Sequence, residues 1–559
     1  MAGLMSIYKD KTVLIADDSP VIISSVRRII LGMGFNDDNI QIAKDPKSIL
    51  SLSSEQFFDL IICDFEFHDK LNGRQVFEEL TYLQRLKPEG VFIMVTGESS
   101  AKLVRSIIEV SPDEYILKPF SATQLSNRIM KSVLRKMTLA SLYRVYQEKK
   151  YVEAIDLCGE LLFKYPKYQL PIQKIKAKCL MLTSNFGELE LLLKEIIARD
   201  GVEWASCELV ELYITKKKFD LARDLITSYL DEHPNSLRMH VLSSRIDIHD
   251  KNVKQAIHKL TYISNLALNN PERQLALAML NVADNNLKAA SSCFKSYQKL
   301  VEGTFLDNDA CTYNILRSTL LDIDSNYRLS HEYLKGSIDR VKSDFDSFVM
   351  SQQHNLAYAD ATIVDKNALS NTLINAHIFI LEGKINEGKN LIFEALKDNK
   401  LGNLSELYHL SYILSLFYYR KEFNDNSLRF KKKVMELGDI GLVSESVILM
   451  YTELAIKYNT VTKDFANNLS SFKDNMEKRD FQSALRMAIK LYESNIYDAE
   501  AYKSVINVSQ HLVPDEKLKE KLKPILRRSY RYCKLLYTYT EFEENKLAKM
   551  YSNAISIFD

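Results

Sequence analysis

Short unbroken apolar runs alternate with stretches of helical period over the first quarter of the chain. TVLIADD, NIQIAK, FDLIICDF, VFIMVTG and EYILK read as strands. Between them, PVIISSVRRIILGMG, PKSILSLSSEQ, GRQVFEELTYLQRL and AKLVRSIIEV place apolar residues near a 3.6-residue period. Strands that are continuously apolar, rather than alternating, belong to a sheet covered on both faces. Residues 1–136 are therefore expected to form an α/β, doubly wound, five-stranded parallel sheet, closed by a helix running from near Ser121 toward Lys136.

Beyond that point strand signals stop and helix follows helix. A spacing of 34 residues runs through the next part. One column reads Ala154, Glu188, Ala222, Ala256 and Ala290; a second reads Cys158, Leu192, Ile226, Leu260 and Phe294; a third reads Tyr146, Leu180, Ile214, Ile248 and Val282. Tyr151, Phe219, Val253 and Leu287 open second helices, and Pro166, Pro234 and Pro271 punctuate unit ends. The period and the small residues at one column resemble tetratricopeptide repeats, which implies an all-α helical solenoid. About five helix pairs are expected over 137–302, with a further helical, irregularly repeating region over 303–559.

Composition narrows the function. The 74 basic and 73 acidic residues leave a net charge of +1, so no global field draws the chain onto a polyanion. Seven cysteines stand singly, without metal-ligand spacing, and read as reduced, mostly buried thiols. No run reaches the ~18 apolar residues of a membrane span, and the start of the chain carries no basic-then-apolar leader. A cytoplasmic protein without a membrane span is expected.

In a parallel doubly wound sheet, ligands sit beyond the C-terminal strand ends. There the chain places Asp17 and Asp18, then Asp64, Thr96 and Lys118, the last followed by Pro119 and Phe120. This ordered set resembles the receiver domain of two-component response regulators, a flavodoxin-like fold, over roughly the first 130 residues. The resemblance implies Asp64 as phosphoacceptor, with Lys118 and Thr96 completing the catalytic set. It implies Mg²⁺ as cofactor, held by Asp18 and Asp64, by Asp17 through water, and by the backbone carbonyl of Glu66. It further implies Thr96 and Tyr115 as switch residues, a cis bond before Pro119, and a sensor histidine kinase or phosphotransfer protein as donor. Hard oxygen ligands suit Mg²⁺, which also relieves the repulsion among three acids.

The stretch LIICDFEFHDKLNGRQ departs from the receiver pattern. It lacks the common Met-Pro pair, and Gly73 falls nine positions after Asp64, one more than usual. Glu66 and Glu98 lie where side chains tune access of hydrolytic water. Other motifs are decoys. GKINEGKN at 383–390 ends in Asn where a phosphate-binding loop needs Ser or Thr, and FEAL at 393–396 sits in helical surroundings. The basic helices RFKKKVMEL and KLKEKLKPILRRSYRYCK read first as solvated faces.

The expected function is a bacterial response regulator in which phosphoryl transfer to Asp64 controls a protein contact of the repeat region. That partner is a kinase, another regulator or a second-messenger enzyme, and a phosphorylation-dependent dimer stays open. No enzymatic activity is expected beyond the receiver's own phosphorylation and dephosphorylation. The alternatives are a nucleic-acid-binding regulator acting through the C-terminal basic helices, and a constitutive scaffold or phosphate sink.

Overall fold

The structure is a computed structural model that describes residues 7–327, 335–356, 367–397, 402–438, 440–495 and 497–558. The first six residues of the leader reading lie outside this set. Five strands, β1 (Val13–Ala16), β2 (Ile40–Ala43), β3 (Leu60–Asp64), β4 (Val91–Thr96) and β5 (Glu114–Leu117), form one sheet in the order β2-β1-β3-β4-β5. All four pairings are parallel, with Leu60 opposite Val13 and Val91.

The continuous apolar runs have the expected cause. Val13, Ile15, Leu60, Ile62, Ile93 and Val95 point to one face and pack against helices α1 (Pro20–Met33) and α5 (Ala122–Thr138). Leu14, Ile61, Cys63, Phe92 and Met94 point to the other, against α2 (Pro46–Glu55), α3 (Gly73–Tyr82) and α4 (Ala101–Val110). Helix starts are set by side chains. Asp45 and Ser100 accept backbone N–H bonds, and Asn72 with Gln75 and Ser121 with Gln124 form capping boxes.

From α5 onward the described residues are helical. Helices pair as α6 (Ala140–Gln147) with α7 (Tyr151–Lys164), α8 (Gln169–Leu182) with α9 (Phe186–Asp200), and α10 (Glu203–Thr215) with α11 (Phe219–Glu232). Next come α12 (Leu237–His249) with α13 (Val253–Leu266), then α14 (Pro271–Ala283) and α15 (Leu287–Val301). Ala154, Ala222, Ala256 and Ala290 are fully buried, as a column of small residues at close helix crossings requires.

The second pair slips from the strict 34-residue phase. Its second helix begins at Phe186, one residue late, so Leu189 and Leu193 occupy the buried positions. Glu188 is only half-buried and pairs with Lys176 at 2.7 Å. The one exception in the alanine column is thus a register shift.

One turn recurs between paired helices. Lys149, Ser184, Lys217, Lys251 and Asn285 adopt left-handed backbone at φ of +55° to +62°. The residue after each donates its N–H five positions back, as Lys150 does to Val145 and Asn252 to Asp247, which closes the helix end. Gly383, Tyr418 and Arg479 repeat this geometry farther along the chain. The two glycines of GKINEGKN are explained by it. Gly383 takes the left-handed position, and a Cβ on Gly388 would stand 2.8 Å from Ile380 and 2.9 Å from the Ala376 carbonyl in a close helix crossing. FEAL lies in the helix Ile385–Lys397.

By packing, the chain divides into two compact units. One comprises Met1–Arg273 with Tyr297–Asn308, and the other Gln274–Ser296 with Asp309–Asp559. This partition follows packing, whereas boundaries at 136 and 302 follow the change of element type and period.

The second unit has a buried polar interior. His377 and His409 are fully buried and share a hydrogen bond of 2.9 Å between Nδ1 and Nε2. Burial holds the His377 imidazole down at about 4 and His409 well below its ordinary value, so both are neutral at neutral pH. Arg317 donates to Ser370 Oγ at 2.6 Å, and Ser370 donates to Glu406 at 2.5 Å. A cleft of about 400 Å³ in this unit is lined by Tyr408, Tyr412, Tyr418, Tyr458, Lys457 and Asn495.

Candidate functional site

Three strand ends build the acidic site. Asp17 follows β1 and is buried, because its Oδ1 accepts the Ser19 N–H at 2.9 Å. Asp64 closes β3, is 6% exposed, and accepts the Phe65 N–H at 2.9 Å. Asp18 is half-buried, and oxygens of Asp17, Asp18 and Asp64 all lie within 4.8 Å of one another.

Lys118, after β5, reaches across the sheet and ties the cluster together. Its Nζ donates to Asp17 Oδ2 at 2.8 Å and lies 3.0 Å from Asp64 Oδ1. The position is fixed from the backbone too, since the Lys118 N–H donates to the Thr96 carbonyl at 2.7 Å. The bond from Lys118 to Pro119 is cis. Burial opposes the Lys118 charge, but its bonds to Asp17 and Asp64 outweigh burial and hold its pKa above the usual value. Burial likewise pushes the Asp64 carboxyl up to about 6, only partly offset by Lys118.

Thr96 is fully buried at the end of β4, one step past the residue opposite Asp64. Its Oγ1 accepts the Glu98 N–H at 3.1 Å. Tyr115 is half-buried on β5 and packs on the sheet face that holds Met94, in the cluster that includes Leu103 of α4. Among the site residues the sequence singles out, then, Lys118 contacts Asp17 and Asp64 directly, Asp18 completes the cluster within 4.8 Å, and Tyr115 lies against the core. Glu66 and Glu98 are exposed, and Glu98 accepts from Ser100 Oγ at 2.8 Å.

Of two further residues at the site, one was absent from the sequence reading and the other figured in it only as the mark of a longer loop. His68, in the loop after Asp64, contacts Asp18 Oδ2 through Nδ1 at 2.5 Å, and this bond keeps the Asp18 carboxyl below its ordinary value. A histidine four positions beyond a strand-ending acid was the available signal. Gly73 is the second. A Cβ there would stand 2.9 Å from Phe65 Cα and overlap the Asp64 carbonyl oxygen. The Gly73 N–H donates to the Phe65 carbonyl at 2.8 Å. The extra residue is therefore absorbed within the loop, and α3 still starts seated on the backbone of Asp64 and Phe65.

The donor set fits a hard divalent cation. Among the described residues three carboxylates face the one ammonium of Lys118, all candidate ligands are oxygens, and burial raises the cost of charging Asp64, which a cation would offset. A cation such as Mg²⁺ would be held by Asp18 and Asp64, with Asp17 and the Glu66 carbonyl beside them, and would supply charge neutralisation for an incoming anion.

Residues 13–130 match the family model described as the response regulator receiver domain. The N-terminal part of the chain is a receiver domain, with the five-stranded parallel sheet of that fold, and an all-helical region follows it. The chain is 27% identical over 128 residues to Chemotaxis protein CheY-3 of Vibrio cholerae, covering 22% of this chain and 92% of that protein. It is also 27% identical over 142 residues to Transcriptional regulatory protein YvrH of Bacillus subtilis, covering 25% of this chain and 53% of that relative. A third relative, Probable transcriptional regulator ycf27 of Porphyridium aerugineum, is 31% identical over 134 residues, 24% of this chain and 51% of its own. The chain thus spans about half the length of the latter two curated relatives. Among solved structures, a CheY-like receiver from Methanospirillum hungatei is 28% identical, with 23% of this chain and 96% of that one covered and a TM-score of 0.20. Among the described residues no helix is long and apolar enough to cross a membrane.

Proposed function

We propose that Asp64 accepts a phosphoryl group from the phosphohistidine of a sensor kinase or phosphotransfer protein, and that the aspartyl phosphate governs a protein contact made by the helical region. The observation that carries this reading is Lys118 Nζ at 2.8 Å from Asp17 and 3.0 Å from Asp64, inside a cluster of three carboxylates. In the transfer, an Asp64 oxygen forms a bond to phosphorus as the N–P bond of the donor breaks. The donor imidazole keeps the electron pair and takes up a proton. Lys118 faces the charge on the transferred oxygens, and Thr96 offers its hydroxyl to one of them.

The repeated left-handed turns and buried alanines favour a tetratricopeptide-like solenoid for the helical region, and such arrays present concave surfaces to peptides or helices. The tyrosine-lined cleft of the second unit is of the kind that takes an aromatic or aliphatic anchor. The basic helix Glu516–Leu536 supports a protein rather than a nucleic-acid partner. Its Leu522, Leu526, Cys533 and Leu536 are core residues, Arg528 lies over Tyr492 and Tyr532, and Lys534 over Tyr530.

The test is incubation of the full chain with Mg²⁺ and acetyl phosphate, followed by intact-mass measurement. One phosphoryl group is expected on the wild type and none on Asp64→Asn. Equal labelling of the two proteins would reject Asp64 as acceptor.

A further inference from the structure

Helix α3 begins on the acceptor's own backbone, and the residues it carries face in two directions. Gln75, Glu79 and Tyr82 recur at i, i+4 and i+7, so they form one stripe. That stripe meets the segment Tyr297–Asn308, which packs in the receiver's unit although the chain on both sides of it belongs to the second unit. Gln75 Nε2 donates to the Leu300 carbonyl at 2.9 Å, Glu79 accepts the Phe305 N–H, and Tyr82 stacks on Phe305 with centroids 4.0 Å apart. The loop before α3 joins in, with Lys70 paired to Glu302 at 3.1 Å.

Arg74 and Glu78 form the neighbouring stripe. Arg74 is 3% exposed, pairs with Glu78 at 3.2 Å, and lies 3.7 Å from Glu109 of α4. Glu109 also binds Arg273, which is 2% exposed and donates to the Ala267 carbonyl at 2.8 Å. Arg105 of α4 donates to the Leu266 carbonyl at 3.4 Å. One face of the receiver, made of the loop after Asp64, α3 and α4, is thus fastened to the helical region by buried charges and backbone bonds. Exposed pairs of this kind contribute little, but buried and backbone-directed ones fix a geometry.

We infer that this face is the surface through which the state of Asp64 is read, and that its partner is the segment Tyr297–Asn308 of the same chain. The inference rests on Asp64 being the phosphoacceptor. The path of contacts is short: Asp64 and Phe65 hold Gly73, Gly73 starts α3, and α3 and Lys70 hold the segment. A phosphoryl group carries about 1.5 to 2 negative charges where the Asp64 carboxylate carried at most one, and sets them farther out, beside this loop. It draws Lys118 and the loop backbone toward the acceptor, so Lys70 and the stripe of α3 release the segment. Tyr82 and Phe305 are both partly exposed, which keeps their exchange for smaller residues compatible with folding.

The experiment is hydrogen exchange on the full chain, with and without Mg²⁺ and acetyl phosphate, for the wild type and Asp64→Ala. Amides of residues 297–308 are expected to exchange at least about fivefold faster in the phosphorylated wild type, the lower end of ordinary coupling, and to be unmoved in Asp64→Ala. By reciprocity, Phe305→Ala is expected to bind beryllium fluoride with Mg²⁺ more tightly by a similar factor. If intact mass shows a phosphoryl group on Asp64 while exchange over 297–308 is unchanged, or if Phe305→Ala binds beryllium fluoride as the wild type does, the surface assigned here is wrong and the acceptor reading stands. If no phosphoryl group is found on Asp64, both fall.

Discussion

Gly73→Ala probes how α3 is attached to the strand that ends in Asp64. The new Cβ would lie 2.9 Å from Phe65 Cα, where carbon atoms normally rest ~3.5–4.0 Å apart, and nearer still to the Asp64 carbonyl oxygen. Neither neighbour is the end of a flexible side chain, so the backbone must separate by about 1 Å. Overpacking of this kind costs about 1–3 kcal/mol. Stretching the 2.8 Å bond from the Gly73 N–H to Phe65 adds roughly 1 kcal/mol, for a total of about 2–4 kcal/mol. A 1 Å displacement at a reacting group slows transfer by about 10²-fold. Labelling from acetyl phosphate should therefore fall about a hundredfold, and the receiver's unit should unfold at lower urea. Gly187→Ala is the control, because nothing lies within 4 Å of its Cβ and the residue is helical, so labelling should not change. Wild-type labelling and wild-type urea resistance in Gly73→Ala would refute the claim that α3 is seated on the Asp64 carbonyl.

Lys118→Met removes the one cation among the described residues that contacts both Asp17 and Asp64. Loss of one such charge-stabilising donor should slow phosphoryl uptake by about 10²–10³-fold, measured with labelled acetyl phosphate, while circular dichroism stays unchanged. Acid should weaken the second unit through His377 and His409. Unfolded imidazoles titrate near ~6.5, whereas burial holds His377 at about 4, so the unfolded chain binds more protons as pH falls between those values. Stability is complete above pH ~6.5 and falls across that window, by about 3 kcal/mol for His377 alone at pH 4. Hydrogen exchange in the helices Ala368–Leu381 and Leu404–Leu416 would show it, and the double replacement His377→Leu with His409→Leu should flatten the slope.

The receiver was legible because its signals are local. A strand buried on both faces must be apolar at every position, so LIIC and VFIMV announce themselves, and an acid or a hydroxyl at the end of such a run stands out. The five residues Asp17, Asp18, Asp64, Thr96 and Lys118 needed only the rule that strand ends face the site. His68 and Gly73 were not read as part of the site, since neither ends a strand. The roles of a loop imidazole and a helix-starting glycine depend on how the loop folds back over Asp18 and Asp64.

The helical region was legible by column rather than by residue. Buried alanine every 34 positions is a packing demand that leaves a mark, but the mark fails where a helix gains one residue, as Gln169–Leu182 does before Phe186. The turn itself left almost none. Lysine, serine, asparagine, tyrosine and arginine fill a left-handed position where glycine is the usual signal, so the sequence hides a geometry that recurs from Lys149 to Arg479. The same argument explains why the segment Tyr297–Asn308 could not be assigned to the receiver from sequence. Its period is that of the repeats, and its attachment rests on Gln75, Glu79 and Tyr82, spaced along α3 as any surface stripe would be. A stripe reveals a partner only when the partner's backbone is seen to bond to it, and here two of the three contacts are bonds to the backbone of Leu300 and Phe305. Side-chain substitution within that segment can therefore loosen the contact at Phe305 but leave its register intact, which is why Phe305→Ala tests coupling rather than folding.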